Sequence, residues 1–331
     1  MRSMTLSEIV RNAKSPLAMP VATFPGAALT GMTVREIVGN AAKQSATQIA
    51  FQGRFGTQVL MTCMDLSVEA EAFGASVTFS DTEVPSVRGR PVPDGEAAQA
   101  LPVPEVGAVR TRVYIETVER LAANGSGLPV FAGMIGPFSL AGRLFGVSES
   151  LLATASEPEA IETLIEKATS FLSAYAAAFK AAGASGIIIA EPSAGLLSPR
   201  ALAGYSSRFV RRIIGRVEGG GFEVILHNCA AKALHLAAVR ESGAHIFHFG
   251  APMDIPAALQ ALPPGTTVCG NLDPSAVFVR STPDVVARLT RDLISSTGGN
   301  RNFVVSSGCD LPAATPHENL DAFFREAATS H

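Results

Sequence analysis

The residues best suited to chemistry in this chain are the pair His227 and Cys229 and the distant Cys309, each at the end of an apolar run. Residues two apart in an extended strand point to the same side, so His227 and Cys229 share a face. One imidazole and two thiolates make a donor set for Zn²⁺, a borderline-soft ion, and three protein ligands leave a fourth position open for a reacting group. The spacing is not that of a zinc finger. Taken alone, a His-x-Cys pair is more often packing than ligation, because free cysteine is among the most buried residue types. The two readings separate on whether Cys309 ends a strand at the same edge of the same sheet.

The chain supplies a framework for that. Eight short apolar runs, each followed by a loop and a helical pattern, occur at 21–24, 76–81, 129–133, 186–191, 223–227, 245–249, 267–271 and 303–307, with 58–63 competing for a place in the first third. Continuous apolar strands alternating with helices predict a parallel sheet covered on its outside, and eight such units predict a closed (β/α)₈ TIM barrel of the α/β class. Ser198-Pro199, Thr282-Pro283 and Thr315-Pro316 each place a capping hydroxyl before a proline at the first helical position, with Glu318 completing a capping box on Thr315. The glycines at 219–221 and 298–299 fit left-handed helix ends. The expected organisation is one catalytic domain over 1–331, with an N-terminal helical extension over 1–18. A proline-rich insertion at 84–109, after the second strand, is expected as a lid or binding loop over the mouth. In such a barrel the C-terminal strand ends converge, which brings His227 and Cys229 of the fifth strand towards Cys309 of the eighth and favours ligation.

Composition narrows the function classes. The 331 residues carry 26 Lys+Arg against 29 Asp+Glu, a formal charge of −3, so there is no basic excess to neutralise phosphates and no nucleic-acid partner is expected. Hydrophobic residues are 47% and charged residues 17%, which suits a large core rather than disorder. Four cysteines are too few for a disulfide scaffold and suit a reducing cytoplasm. Arg2, Glu8, Arg11 and Lys14 interrupt the N-terminus, and Lys180 with nearby glycines interrupts the most apolar stretch, so neither a signal peptide nor a membrane span is expected.

Further motifs carry a family resemblance. Gly270-Asn271-Leu272-Asp273-Pro274, the run Gly136-Pro137-Phe138-Ser139-Leu140-Ala141, and Ser307-Gly308-Cys309-Asp310 followed by Thr315-Pro316-His317-Glu318-Asn319 resemble the uroporphyrinogen decarboxylase superfamily over about 20–327. Within it the chain is similar to the corrinoid-dependent branch of methylcobalamin:coenzyme M methyltransferases. That branch implies a zinc set falling on His227, Cys229 and Cys309, and methyl transfer from methylcobalamin or another methyl-corrinoid to a zinc-activated thiol. No corrinoid-binding module is recognisable here, so the resemblance implies a separate corrinoid protein docking at the barrel mouth. It also implies an acidic residue after the sixth strand, where this chain has Gly250-Ala251 with Asp254 further on. The resting fourth ligand is therefore expected to be water, Asp254 or Glu191, with Glu191 ending the fourth strand and otherwise a loop or cap residue.

The decarboxylase reading places Asp81, at the end of the expected second strand, in the role of the pyrrole-binding aspartate. It lacks cations near the first strand, where Met19–Gly26 supplies none for an anionic tetrapyrrole. Two other readings keep the metal: a methyltransferase that loads cob(I)alamin from a methoxylated or methylated substrate, and a metal-binding scaffold without turnover. Arg143 and Arg200 are candidates for an anionic group such as a sulfonate, His248 for a place at the mouth, and His235, Cys63 and Cys269 for packing.

Overall fold

The computed structural model describes residues 4–13 and 15–329; Arg2 and Lys14 lie outside them. The barrel strands are β1 (Leu17–Ala18), β2 (Leu60–Met61), β3 (Val130–Ile135), β4 (Gly186–Ala190), β5 (Glu223–Asn228), β6 (Ile246–Phe249), β7 (Thr267–Leu272) and β8 (Phe303–Ser307). All pair in parallel in the order β1-β8-β7-β6-β5-β4-β3-β2, with helices outside, which is the (β/α)₈ architecture. Between β1 and β2 no ladder forms among the described residues; the Met64 amide instead donates to Thr23 Oγ1 at 3.1 Å.

Strand periodicity divides the core into two layers. Ile188, Ala190, Ile225, Ile246 and Val304 point into the barrel lumen, while Ile187, Ile189, Val224, Phe247 and Val305 pack outward against the helices. The lumen floor is closed by α1 (Leu6–Asn12), which contributes Leu6 and Val10 and starts at a capping box between Thr5 and Glu8. The Glu223 carboxylate accepts from the Ser7 amide at 3.2 Å, fixing α1 beneath β5. Outside, the 24-residue helix Pro158–Ala181 buries Phe171, Tyr175 and Phe179 in a continuous aromatic row. Fully burying one such phenylalanine contributes ~1.5–3 kcal/mol, so packing rather than helix propensity holds this segment.

Three expectations about the first third are corrected. The first strand lies at 17–18, inside the stretch expected to be a helical extension, and 21–24 follows it as irregular chain. The second strand is the competing run, at 60–61. Ser76–Thr78 instead pairs antiparallel with Ser86–Arg88 in a separate two-stranded hairpin. The reason is burial: 59–64 is buried throughout, as a strand covered on both faces must be, whereas none of 76–80 is fully buried. The insertion 84–109 consequently contains a hairpin strand and the helix Gly95–Ala100, and Lys167 Nζ ties it down by donating to the carbonyls of Gln99 (2.5 Å) and Leu101 (2.6 Å).

The expected helix signals are present in part. Ser198 caps the amide of Ala201, and Thr282 sits at the cap position without a side-chain bond. Thr315 turns its hydroxyl to the Pro312 carbonyl instead of capping.

A buried ion cluster locks the end of the insertion to the end of β2. Arg110 reaches the carboxylates of Asp65 and, at 2.6 Å, Glu71, and donates to Ser67 Oγ at 2.9 Å. The Asp65 side chain is fully buried, so removing its cation leaves a buried charge held only by the amide and hydroxyl of Ser67. Arg110→Met is expected to lower unfolding stability by about 3–5 kcal/mol in urea titration; a loss under about 1 kcal/mol would show that the cluster is not needed to pin this segment.

Candidate metal centre

β5 ends in His227-Asn228 and turns at once into Cys229, while β8 ends at Ser307 and turns through Gly308 into Cys309. The barrel brings the two turns together at its C-terminal mouth. Ligand atoms of His227, Cys229 and Cys309 lie within 4.8 Å of one another. His227 is buried in the lumen and the two cysteines are half-buried towards the opening. Close backbone approach makes this possible. A Cβ on Gly250 would fall 2.6 Å from Cys229 Cα, and one on Gly308 would fall 2.9 Å from the Ala251 amide nitrogen and 3.0 Å from the Asn271 carbonyl oxygen. Asn271 secures the intervening loop by donating to the carbonyls of Gly250 and Met253 at 3.0 and 2.6 Å.

The donor chemistry fits a metal. His227 Nδ1 is hydrogen-bonded to His248 Nδ1 at 2.8 Å, but His227 Nε2 is buried with no partner. A buried nitrogen without a partner beside two thiols is costly unless a ligand completes it. The thiols are coupled: the bond from Cys309 brings Cys229 down to about 7, against the effect of burial. Cys309 is pushed up to about 12, first by that bond and then by burial. Next in sequence, Asp310 accepts from the Thr23 amide at 2.9 Å and is pushed up to about 8 chiefly by burial, joining the end of β8 to the chain after β1.

The remaining candidates are placed as follows. Glu191 does not join the ligand set. It follows Ala190, a lumen residue, so strand parity turns it outward, where its carboxylate accepts from the amides of Phe138 (3.0 Å) and Ser139 (2.9 Å) and from Ser206 Oγ (3.1 Å). It caps the helix Pro137–Phe145, with burial raising its pKa and these bonds opposing. Asp81 lies on the exposed hairpin side, paired with Arg35 at 3.2 Å, because 76–81 is not a barrel strand; the aspartate after β2 is Asp65. Asp254 is a helix cap, accepting from the Ala257 amide. Arg200 is exposed. Arg143 is half-buried near Asp65, with no ion pair among the described residues. His235 is structural, bonded to the Leu197 carbonyl and the Lys232 amide, and Cys63 and Cys269 are buried in the core. Sequence reasoning missed Ser306, Asp310 and the Asp65–Arg110 pair. Ser306 shares strand parity with Val304 in the lumen, a signal available once β8 is assigned.

The candidate ligands His227, Cys229 and Cys309 thus meet at the C-terminal mouth of a (β/α)₈ barrel, the face at which barrels of this class carry their active sites. The chain belongs to the uroporphyrinogen decarboxylase (URO-D) family, whose profile matches residues 17–330. It is 27% identical over 269 residues to a methylcobamide:CoM methyltransferase of Methanosarcina acetivorans, covering 80% of this chain and 78% of that one. It is 27% identical to a methylated-thiol–coenzyme M methyltransferase of Methanosarcina mazei (82% and 72% covered). It is also 27% identical to a uroporphyrinogen decarboxylase of Roseiflexus sp. (80% and 78% covered). A solved methyltransferase from Methanosarcina mazei shares the fold, with TM-score 0.87, 20% identity and 98% of both chains covered. No helix among the described residues is long and apolar enough to cross a membrane.

In the metal-free protein the coupled thiols make Cys229 the reactive one. A hydrogen bond to a thiolate favours the charged form, so alkylation of Cys229 is expected to rise through about pH 7. Cys309→Ala removes that donor and is expected to move the midpoint up towards ~8.5, the free-thiol value. A wild-type midpoint already at the free-thiol value would contradict the coupling.

Proposed function

We propose that this chain is a zinc-dependent methyltransferase that moves a methyl group from a methyl-corrinoid to a thiol. The observation that carries the reading is the partnerless Nε2 of His227 beside two half-buried thiols at the barrel mouth. His227, Cys229 and Cys309 would hold the ion. A bound Zn²⁺ there supplies a Lewis acid that keeps a substrate thiol deprotonated at neutral pH, where a free thiol of pKa ~8.5 is mostly protonated. The protein's part is positional. The glycine contacts at 250 and 308 set how closely the two cysteine turns approach, and burial of His227 keeps water from its ring. The thiolate sulfur forms its bond to the methyl carbon as the carbon–cobalt bond breaks, the electron pair remaining on cobalt as cob(I)alamin. The corrinoid is a co-substrate, brought by a corrinoid protein that docks over the mouth.

The relatives support methyl transfer to a thiol as the reaction class, since one is named a methylcobamide:CoM methyltransferase and another a methylated-thiol–coenzyme M methyltransferase. The decarboxylase relatives favour a second chemistry on the same fold, but two cysteines and a histidine with an open lone pair have no part in a metal-free decarboxylation.

The test is zinc content together with the loss of methylcobalamin absorbance when coenzyme M, homocysteine or methanethiol is offered. About one zinc per chain and thiol-dependent demethylation are expected, with Cys309→Ala slowing demethylation by more than ~100-fold through loss of a metal ligand. Methylation of cob(I)alamin by methoxylated or methylated compounds, with no thiol-dependent demethylation, would reverse the direction. A wild-type protein without zinc would remove both methyltransferase readings and leave decarboxylation to be assayed.

A further inference from the structure

We propose that His248 and Ser306 are positioning residues that fix the tautomer of His227, so that its lone pair already faces the metal position before any ion arrives. The inference rests on the reading of His227, Cys229 and Cys309 as metal ligands.

The argument starts at a group with no choice. The Met19 carbonyl oxygen accepts only, and Ser306 Oγ lies 2.6 Å from it, so the single hydroxyl proton of Ser306 points to Met19. His248 Nε2 lies 2.9 Å from the same Oγ. With its proton already directed elsewhere, Oγ can only accept there, and His248 Nε2 must carry a hydrogen. His248 is 1% exposed, and its side-chain partners are a hydroxyl and a second imidazole, with no carboxylate to support a charge. The ring therefore holds one proton, and its Nδ1 keeps a lone pair. His227 Nδ1 sits 2.8 Å from that lone pair and must be the donor. The His227 proton is thus on Nδ1, and Nε2, buried and without another partner, is left as a bare acceptor towards the two thiols.

Strand register makes the relay a built feature. His227 and His248 are paired partners on β5 and β6, and their rings meet edge-on with centroids 4.7 Å apart. Ser306 stands on β8, one lumen position above Val304, and Met19 follows β1. The chain of donors thus runs from the metal position across the lumen to the seam where the barrel closes. The other tautomer would turn an N–H towards the ion and abolish ligation, so any group that prevents it raises metal affinity.

Two measurements test this. In metal-free wild type, long-range ¹H–¹⁵N correlation of the histidine rings is expected to show His227 protonated on Nδ1 and His248 on Nε2. A His227 ring protonated on Nε2 would overturn the relay, whatever the zinc results. By chelator competition, His248→Phe, which removes the acceptor but keeps a ring, is expected to weaken zinc by about 10–100-fold. His248→Asn, whose Oδ1 takes the place of Nδ1, is expected to restore affinity to within a few-fold of wild type. Equal zinc affinity in wild type and both variants, or an equal loss in both variants, would overturn the relay alone. Absence of zinc from the wild type would overturn the metal reading on which it rests.

Discussion

A neutral imidazole can face a metal with only one nitrogen, and in this barrel the hydrogen bond on the other nitrogen makes the choice. His227 Nδ1 is occupied by His248, and Nε2 is held in a dry lumen beside Cys229 and Cys309. Much of the mouth serves that one nitrogen. The β5 and β6 register sets the two rings against each other, the small residues at 250 and 308 let the cysteine turns close, and Asp310 ties the second turn to the chain after β1. In water such a nitrogen would be hydrated. Here an ion is the partner its surroundings best suit.

The lumen also explains why the polar residues divide as they do. Below the histidine layer it is filled with Ile188, Ile225, Ile246 and Val304, so a charge there would have no solvent. The carboxylates of Glu191 and Asp65 lie away from the histidine layer, each satisfied by its own partners. Glu191 holds the start of the helix Pro137–Phe145, and Asp65 is gripped by Arg110. The three candidate ligands are an imidazole and two thiols, which a buried site tolerates better than free carboxylates.

Much of this was legible in the sequence, for physical reasons. Strands β3 to β8 are covered on both faces and read as unbroken apolar runs, and the three ligand candidates stand where strand ends and spacing placed them. β1 is not legible and β2 is legible only as the competing run at 58–63, since two-residue strands carry almost no periodicity and the segment at 76–81 competes for the second place. For Glu191 the sequence leaves ligand and cap both open because its direction depends on one step of parity past Ala190, which is set only where the strand ends. The partnership of His227 with His248 depends on inter-strand register, which a sequence does not print; only the positions of the two histidines on neighbouring strands hinted at it.

The central claim is that the fourth position of a zinc ion held by His227, Cys229 and Cys309 is where the thiol binds. Zinc K-edge absorption spectroscopy of the wild-type protein, with and without a thiol substrate, tests it most directly. The account predicts one imidazole nitrogen, two sulfurs at ~2.3 Å and one lighter ligand at rest, becoming three sulfurs when the thiol is added. A sulfur count that stays at two under saturating thiol would contradict it.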